Sequence, residues 1–366
     1  MLTSRPLIIT AAAAASLTAT LIFYRGKESR EVEVSSPGFS SLVPSYLGAV
    51  IAMLTKPRSL PEDITSLPEL RCSVVEPVAI NLAHLEKFRR MCRCRAGSHS
   101  PLTELGGMHG GSLPPTYLNA LVFRLQLQLM THPKFPVNPV GSVHARNSIV
   151  QARTLRADES FTFRATLLPE LRTTHKGGVE FDIRVEAYAA PGVDAVWTNV
   201  ATFALPRARR RASATLPTQN SSSSASTGAA STNTQVIDTI NVPASAPREY
   251  SSLNGDINPI HLHPLLARAF GFRTVISHGM HTAAWAVDAL IRDFATEEMG
   301  TGELSIETSF LRPMFLPAQI SCFRTGSDLI HNNCRTGRVD FKVADASSAG
   351  RTYTEGHIIF VPKSPP

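Results

Sequence analysis

Two segments of this chain are apolar around nearly the whole circumference of a helix. They are "TYLNALVFRLQLQLM" (116–130) and "HTAAWAVDALIRDF" (281–294). A helix without a polar face has to be enclosed by other structure. Each segment is followed by stretches with the period-two alternation of half-buried strands. After the first come "SVHARNSIVQARTL", "ESFTFRATLL", "VEFDIRVEAYA" and "AVWTNVATFAL", with "PGVD" as a hairpin connection. After the second come "ELSIETSFL", "QISCFRTG", "GRVDFKVADA" and "RTYTEGHIIFV". One buried helix and a run of antiparallel strands, twice over, predict an α+β protein of two similar units packed together. No convincing residue-level repeat accompanies this repeated order.

The first block opens with an amphipathic helix at "INLAHLEKFRRMC", and a strand at "QVIDTINV" leads into the second. Between the blocks, "RARRRASATLPTQNSSSSASTGAASTNTQ" (207–235) holds almost no large apolar side chain. Such a composition buries too little surface to offset its ordering entropy, so a linker is expected, drawn here as 207–244. Residues 45–206 and 245–366 are then the two domains. Ahead of them, "LIITAAAAASLTATLIFY" (Leu7–Tyr24) carries no charge over 18 residues, long enough for a helix to cross a bilayer. Arg25, Lys27 and Arg30 follow it, which favours a membrane anchor or targeting segment, with a tether to residue 44, over a cleaved secretory signal. A mitochondrial or other intracellular membrane suits those flanks.

The length of 366 residues and a hydrophobic content of 43% describe a globular chain. The formal charge of +7 is concentrated in Arg207–Arg211 and in Lys87, Arg89, Arg90, Arg93 and Arg95. Neither run is interleaved with aromatic residues, so nucleic acid is not an expected partner. A solvated face, or a docking surface for a phosphorylated carrier such as coenzyme A, fits better. The five cysteines, Cys72, Cys92, Cys94, Cys322 and Cys334, have no zinc or redox spacing and read as ordinary thiols of a reducing compartment.

The stretch "EYSSLNGDINPIHLHPLLARAFGFRTVISHGMH" (249–281) gathers polar residues in an otherwise apolar region. Asn258 followed by Pro259 is a helix cap with proline in the first turn. A short helix over "IHLHPLLARAF" would be limited by Pro264 and stop at Gly271. Asp256, in the turn before it, and His261, in its first turn, can converge on one point. Gly279 stands at the entrance to the long helix, where free backbone N–H groups suit a developing negative charge. Three readings are compatible with these residues. A metal site would draw on His261, His263, His278 and His281, but His261 and His263 point to different helix faces, and no second carboxylate or cysteine completes the set. A merely structural capped turn is the second. The third, an Asp256/His261 acid–base pair with Gly279 as oxyanion donor, is favoured.

Here a resemblance becomes specific. Tyr250, Gly255, Asp256, Asn258, Pro259, Ile260, His261, Ala267, Gly271, Phe272, His278, Gly279 and Met280 follow the pattern of the MaoC-like, (R)-specific enoyl-thioester hydratases and dehydratases. "SFLRPMFLPAQI" resembles that family's Phe-x-x-Pro-x-x-Pro strand and bend. Asn254 departs from it, since the family usually has serine or another small residue there. "LPPTYLNALVFRLQLQLM", "FPVNPVGSVHARNSI" and "HKGGVEFDIRVEAYAAPGVDAVW" resemble the degenerate N-terminal half of two-part members. The resemblance implies a double hot-dog fold, two long central helices each wrapped by an antiparallel sheet. Catalysis is then expected in the second unit alone, from Asp256, His261 and Gly279, with Asn258, Phe310 and His278 serving the substrate. The first unit would shape an acyl tunnel. The implied partner is an acyl-CoA or acyl carrier protein thioester, the implied assembly a homodimer, and no metal, flavin or nicotinamide is called for. A non-catalytic acyl-thioester-binding protein and a membrane-tethered scaffold are the alternatives.

Overall fold

The two apolar segments are helices, and strands enclose each of them. The computed structural model describes residues 30–34, 51–52, 54–57, 60, 63–94, 111–139, 142–174, 178–205, 234–256, 258–294, 302–328, 337–347 and 350–361. The expected anchor at 7–24 and nearly all of the low-complexity stretch lie outside these residues. Among those described, no helix is long and apolar enough to cross a membrane.

The first unit comprises β1 (Glu31–Glu33), β2 (Leu70–Ala79), α1 (Leu82–Met91), α2 (Tyr117–Thr131), β3 (Val143–Gln151), β4 (Ser160–Leu167), β5 (Arg172–Thr173), β6 (Val179–Tyr188) and β7 (Trp197–Leu205). The second comprises β8 (Gln235–Val242), α3 (Ala246–Asn254), α4 (Pro259–Leu262), α5 (Pro264–Ala269), α6 (Gly279–Phe294), β9 (Glu303–Phe310), β10 (Ala318–Asp328), β11 (Gly337–Asp345) and β12 (Thr352–Val361). In space the strands follow the order β1-β2-β4-β6-β7-β3-β9-β12-β11-β10-β8. The unit β2-β4-β6-β7-β3 is thus answered by β8-β10-β11-β12-β9 with the same connectivity, and the halves meet where β3 pairs antiparallel with β9.

Alternation sets which face of each strand is buried. In β6, Phe181, Ile183, Val185 and Ala187 point inward while Arg184 is exposed; in β4, Phe161, Phe163, Ala165 and Leu167 point inward. These residues close over α2, whose Tyr117, Leu118, Val122, Leu125 and Leu129 are buried. Burying each large apolar side chain contributes roughly 1.5–3 kcal/mol. In α6 the alanines 283, 284, 286 and 289 let the helix lie close to its sheet. Trp285 fills the remaining volume, its Nε1 donating to Asp238 Oδ2 on β8 at 2.9 Å.

Three expectations need correction. The linker ends sooner than residue 244, because Gln235–Val242 is an edge strand paired with β10. Part of the 1–44 tether is structured, since Glu31–Glu33 runs parallel to β2. The first block opens with a strand, β2, ahead of its amphipathic helix. Its sequence "LRCSVVEPVA" carries a proline and charges that blur the alternation. Proline in a strand belongs at a bulge or an edge, and β2 shifts register against β4 between Val74 and Val78.

Gly356 shows how tightly β12 lies on its neighbours. A Cβ there would fall 2.1 Å from the Glu307 carbonyl oxygen and 3.0 Å from the Phe341 ring. Gly356→Ala is expected to lower stability by about 2 kcal/mol, read as a shift in urea midpoint. An unshifted midpoint would mean that β9 and β12 can part at no cost.

Candidate active site

The segment between β8 and α6 is assembled by short polar bonds. Helix α3 ends at Gly255, whose φ of 79° is left-handed and suits glycine. Three side chains then each accept from a backbone N–H two residues on. Asn254 Oδ1 takes Asp256 N at 2.9 Å, Asp256 Oδ1 takes Asn258 N at 2.9 Å, and Asn258 Oδ1 takes Ile260 N at 3.4 Å. Asn254, the departure from the family pattern, is therefore the first rung of this ladder. Pro259 opens α4, as the sequence predicts, but the expected single short helix is two. His263 is extended, at φ −148°, and its Nδ1 caps α5 by accepting from Leu265 N.

With Asp256 Oδ1 holding the loop, Oδ2 faces the histidines. His278 Nε2 lies 3.5 Å from it and His261 Nε2 3.8 Å. The His261 and His278 rings stack at 3.7 Å, 24° apart. His261 Nδ1 is 2.8 Å from the Ile276 carbonyl. A carbonyl can only accept, so Nδ1 carries the proton and Nε2 presents a lone pair. Burial and the neighbouring His278 charge depress the His261 pKa well below its ordinary value. Burial alone would raise Asp256, but the interactions with His278 and His261 and the Asn258 N–H outweigh it and hold the carboxyl at about 2. The resting pair is a carboxylate beside a neutral imidazole, two acceptors side by side.

The pair foreseen in the sequence is thus a cluster of three, with His278 nearer the carboxylate than His261. Asp256, His261 and His278 offer ligand atoms within 4.8 Å of one another. A metal would have to lie close to both ring planes at ~2.0–2.1 Å from each nitrogen. Stacked rings leave no such point, so binding there would require them to unstack. His263 and His281 do not join the cluster. His263 caps α5, and His281 Nε2 donates to the Met91 carbonyl at 3.1 Å.

Gly279 is the first residue of α6, two residues earlier than the sequence indicates, and its N–H is among those a helix leaves unsatisfied. A Cβ on Gly279 would fall 2.6 Å from Phe310 Cδ1, so only glycine lets Phe310 lie on the start of the helix. Asn258 caps α4 and its Nδ2 reaches the Ser142 carbonyl at 3.4 Å, tying the site to the first unit.

The first unit contributes more than the sequence discloses. His84 on α1 accepts from Tyr117 Oη through Nδ1 and donates through Nε2 to the Leu253 carbonyl, both at 3.0 Å. His144 on β3 stacks on Phe203 and packs against Phe310, with ring centres 5.1 and 5.0 Å apart. Both residues stand in segments recognisable by their landmarks, but nothing local marks either as part of a site.

Residues 227–340 match the MaoC like domain family. The match lies in the second unit, the one that carries the Asp256, His261 and His278 cluster. The chain is 29% identical over 223 residues to 3-hydroxyacyl-thioester dehydratase X of Mycobacterium tuberculosis, a span of 61% of this chain and 73% of that protein. Its fold matches the crystal structure of HtdX from M. tuberculosis with a TM-score of 0.59 at 22% identity, covering 80% of this chain and 99% of that one. A second M. tuberculosis protein, described as having a double hot-dog fold, matches with a TM-score of 0.54 at 12% identity, covering 82% and 98%. The full-length peroxisomal multifunctional enzyme type 2 of Drosophila melanogaster matches with 0.53 at 16% identity, over 80% of this chain and 48% of that one. The expected double hot-dog fold is the fold of this chain.

Burial holds three histidines neutral: it brings His144 and His281 to about 4 and pushes His261 down as well. Below the ordinary histidine value the unfolded chain takes up protons that the folded one refuses. Stability is therefore whole above pH ~6.5 and falls as pH drops, by up to about 1.4 kcal/mol per pH unit for each such group. Asp256 works lower down, adding stability above its unfolded value of about 3.9 and losing it toward pH 2. The urea midpoint is expected to hold from pH 7.5 to about 6.5 and then to decline down to pH 5, less steeply in His281→Gln. A midpoint constant over that range would contradict buried neutral histidines.

Proposed function

We propose that the chain catalyses reversible hydration of trans-2-enoyl thioesters to (R)-3-hydroxyacyl thioesters. The carrying observation is the 3.8 Å spacing of Asp256 Oδ2 and His261 Nε2, with the His261 tautomer set by Ile276. Two acceptors so placed cannot bond each other, but one water can donate a proton to each. Its oxygen then attacks C3, one of its protons is delivered to C2, and its O–H becomes the 3-hydroxyl. As C3 is attacked, charge moves onto the thioester oxygen. The Gly279 N–H at the start of α6 stabilises that enolate, and losing one such donor typically costs ~10²–10³ in turnover. The match of residues 227–340 to the MaoC like domain and the likeness to 3-hydroxyacyl-thioester dehydratase X support this reading.

The experiment follows loss of enoyl absorbance with trans-2-enoyl-CoA, with chiral analysis of the product. Asp256→Asn and His261→Ala are each expected to reduce turnover at least ~10²-fold, the lower range for a positioned acid or base, with the fold intact by circular dichroism. Undiminished hydration in both variants would sink the mechanism. Absence of hydration by the folded wild type, with coenzyme A and carrier protein substrates alike, would favour a thioester-binding protein.

A second observation bears on the carrier. Arg89, Arg90, Arg93 and Arg292 surround a cavity of about 460 Å³, with Asp238 on its wall. Arg89 pairs with Glu86 and Arg292 with Asp288. Among the described residues, neither Arg90 nor Arg93 meets a carboxylate. Guanidinium groups left over in this way suit the phosphates of a coenzyme A thioester. The double variant Arg90→Ala/Arg93→Ala is expected to raise KM for enoyl-CoA several-fold and leave kcat unchanged, more so at low salt. An unaltered KM would return this run to a solvated face.

A further inference from the structure

The second unit carries the acid–base cluster, yet one histidine of the first unit is also turned toward it. His144 sits at the start of β3, beside the strand pairing that joins the halves, where the register against β7 shifts between His144 and Arg146. Its ring is held between Phe203 and Phe310, and Phe310 in turn lies on Gly279. His144 is therefore one ring away from the helix start at which the thioester oxygen would rest. Its Nε2 is buried and, among the described residues, has no hydrogen-bond partner. A buried polar atom left unpaired costs about as much as a lost hydrogen bond. A phenylalanine would fit among Phe203 and Phe310 without that cost. Burial lowers the His144 pKa to about 4, with a backbone hydrogen bond at Arg146, the Asp256 charge and the Asn147 side chain acting the other way. The ring is then neutral near pH 7.

We propose that His144 Nε2 accepts a hydrogen bond from the substrate's carrier arm, at the secondary amide N–H two carbons beyond the thioester sulfur. This rests on the hydration reading above. An enoyl thioester offers few donors. The water that becomes the 3-hydroxyl belongs to Asp256 and His261, the thioester oxygen accepts, and the acyl chain has no N–H. The amide of the arm is the remaining donor close to the sulfur. His144 is accordingly a binding residue supplied by the non-catalytic half, and it distinguishes a carrier thioester from a simple one.

The test pairs two variants with two substrates, and the intact enoyl-CoA serves as reference. His144→Phe keeps the aromatic packing and removes the acceptor; His144→Gln keeps an acceptor. The substrates are a trans-2-enoyl N-acetylcysteamine thioester, which has the amide, and the S-ethyl thioester, which lacks it. With the first, His144→Phe is expected to lose about tenfold in kcat/KM, the factor for ~1.4 kcal/mol, mostly through KM, and His144→Gln to retain most activity. With the S-ethyl thioester His144→Phe should stay within about twofold of wild type, and its thermal midpoint should be at or above wild type. Equal losses on both thioesters would overturn the amide assignment and move His144 to the reaction centre. No loss on either would make the ring a packing element only. Failure of the wild type on enoyl-CoA itself would instead refute the hydration reading, and a working wild type separates the two.

Discussion

The antiparallel pairing of β3 with β9 is the constraint on which the site depends. Six residues of each strand lie in register, from Arg146 opposite Ser309 to Gln151 opposite Leu304. Ser148 Oγ donates across that seam to Glu307. The pairing fixes where each strand ends, and both ends matter. Residue 310, one step beyond the paired stretch, places a phenyl ring on Gly279. Residues 142 and 144, just before it, place a carbonyl under Asn258 and an imidazole against that same phenyl ring. A slip of one residue would turn every one of these side chains to the other face.

Within that frame the segment from Asn254 to His261 is stiff for local reasons. Its ladder of Asn254, Asp256 and Asn258 uses one oxygen of each side chain to hold a backbone N–H. Asp256 alone then has a second carboxylate oxygen left for chemistry. His261 is fixed in the same manner, with Nδ1 committed to Ile276 and Nε2 left over. Backbone bonds reinforce the arrangement, since Ile276 N donates to Ile260 O and Ser277 N to Met314 O. Preorganisation of this kind matters more than the strength of any single bond, because the reacting groups need no reorganisation when charge develops.

Much of this was legible in the sequence, and the reasons divide cleanly. The strands with clean alternation, such as "VEFDIRVEAY", are found almost residue for residue, because burial on one face is a period-two property of the strand itself. The Asn258–Pro259 cap is local chemistry and is found where expected. Asp256 and His261 lie within one continuous motif, so their meeting needs little tertiary information. What was hidden depends on distant parts of the chain. β1 and β2 carry charges and a proline that mask their alternation. His84 and His144 acquire roles only through contacts with Leu253 and Phe310, more than 150 residues away. The stacking of His278 on His261 follows from the return of the chain from α5 to α6, which spacing alone does not fix.

The shared connectivity of the two units raises the question of why only one has an open polar cluster. The first unit is not short of buried polar groups. Asn119 and Gln126 on α2 meet Asn147 on β3 and Asn199 on β7 in one network, with bonds of 2.9–3.2 Å. These amides bond one another. They are neutral near any working pH, so they can specify packing but cannot take up a proton. In the second unit the corresponding space below the helix is filled by alanines and Trp285. The polar groups there are displaced to the helix start, where Asp256 Oδ2 lies 3.5 Å from His278 Nε2 and, among the described residues, neither His278 nitrogen has a hydrogen-bond partner. One half spends its polar groups on itself and serves as a rigid wall. The other leaves them unsatisfied at a seam, and that is tolerable only where the wall keeps them in place and a substrate can complete them.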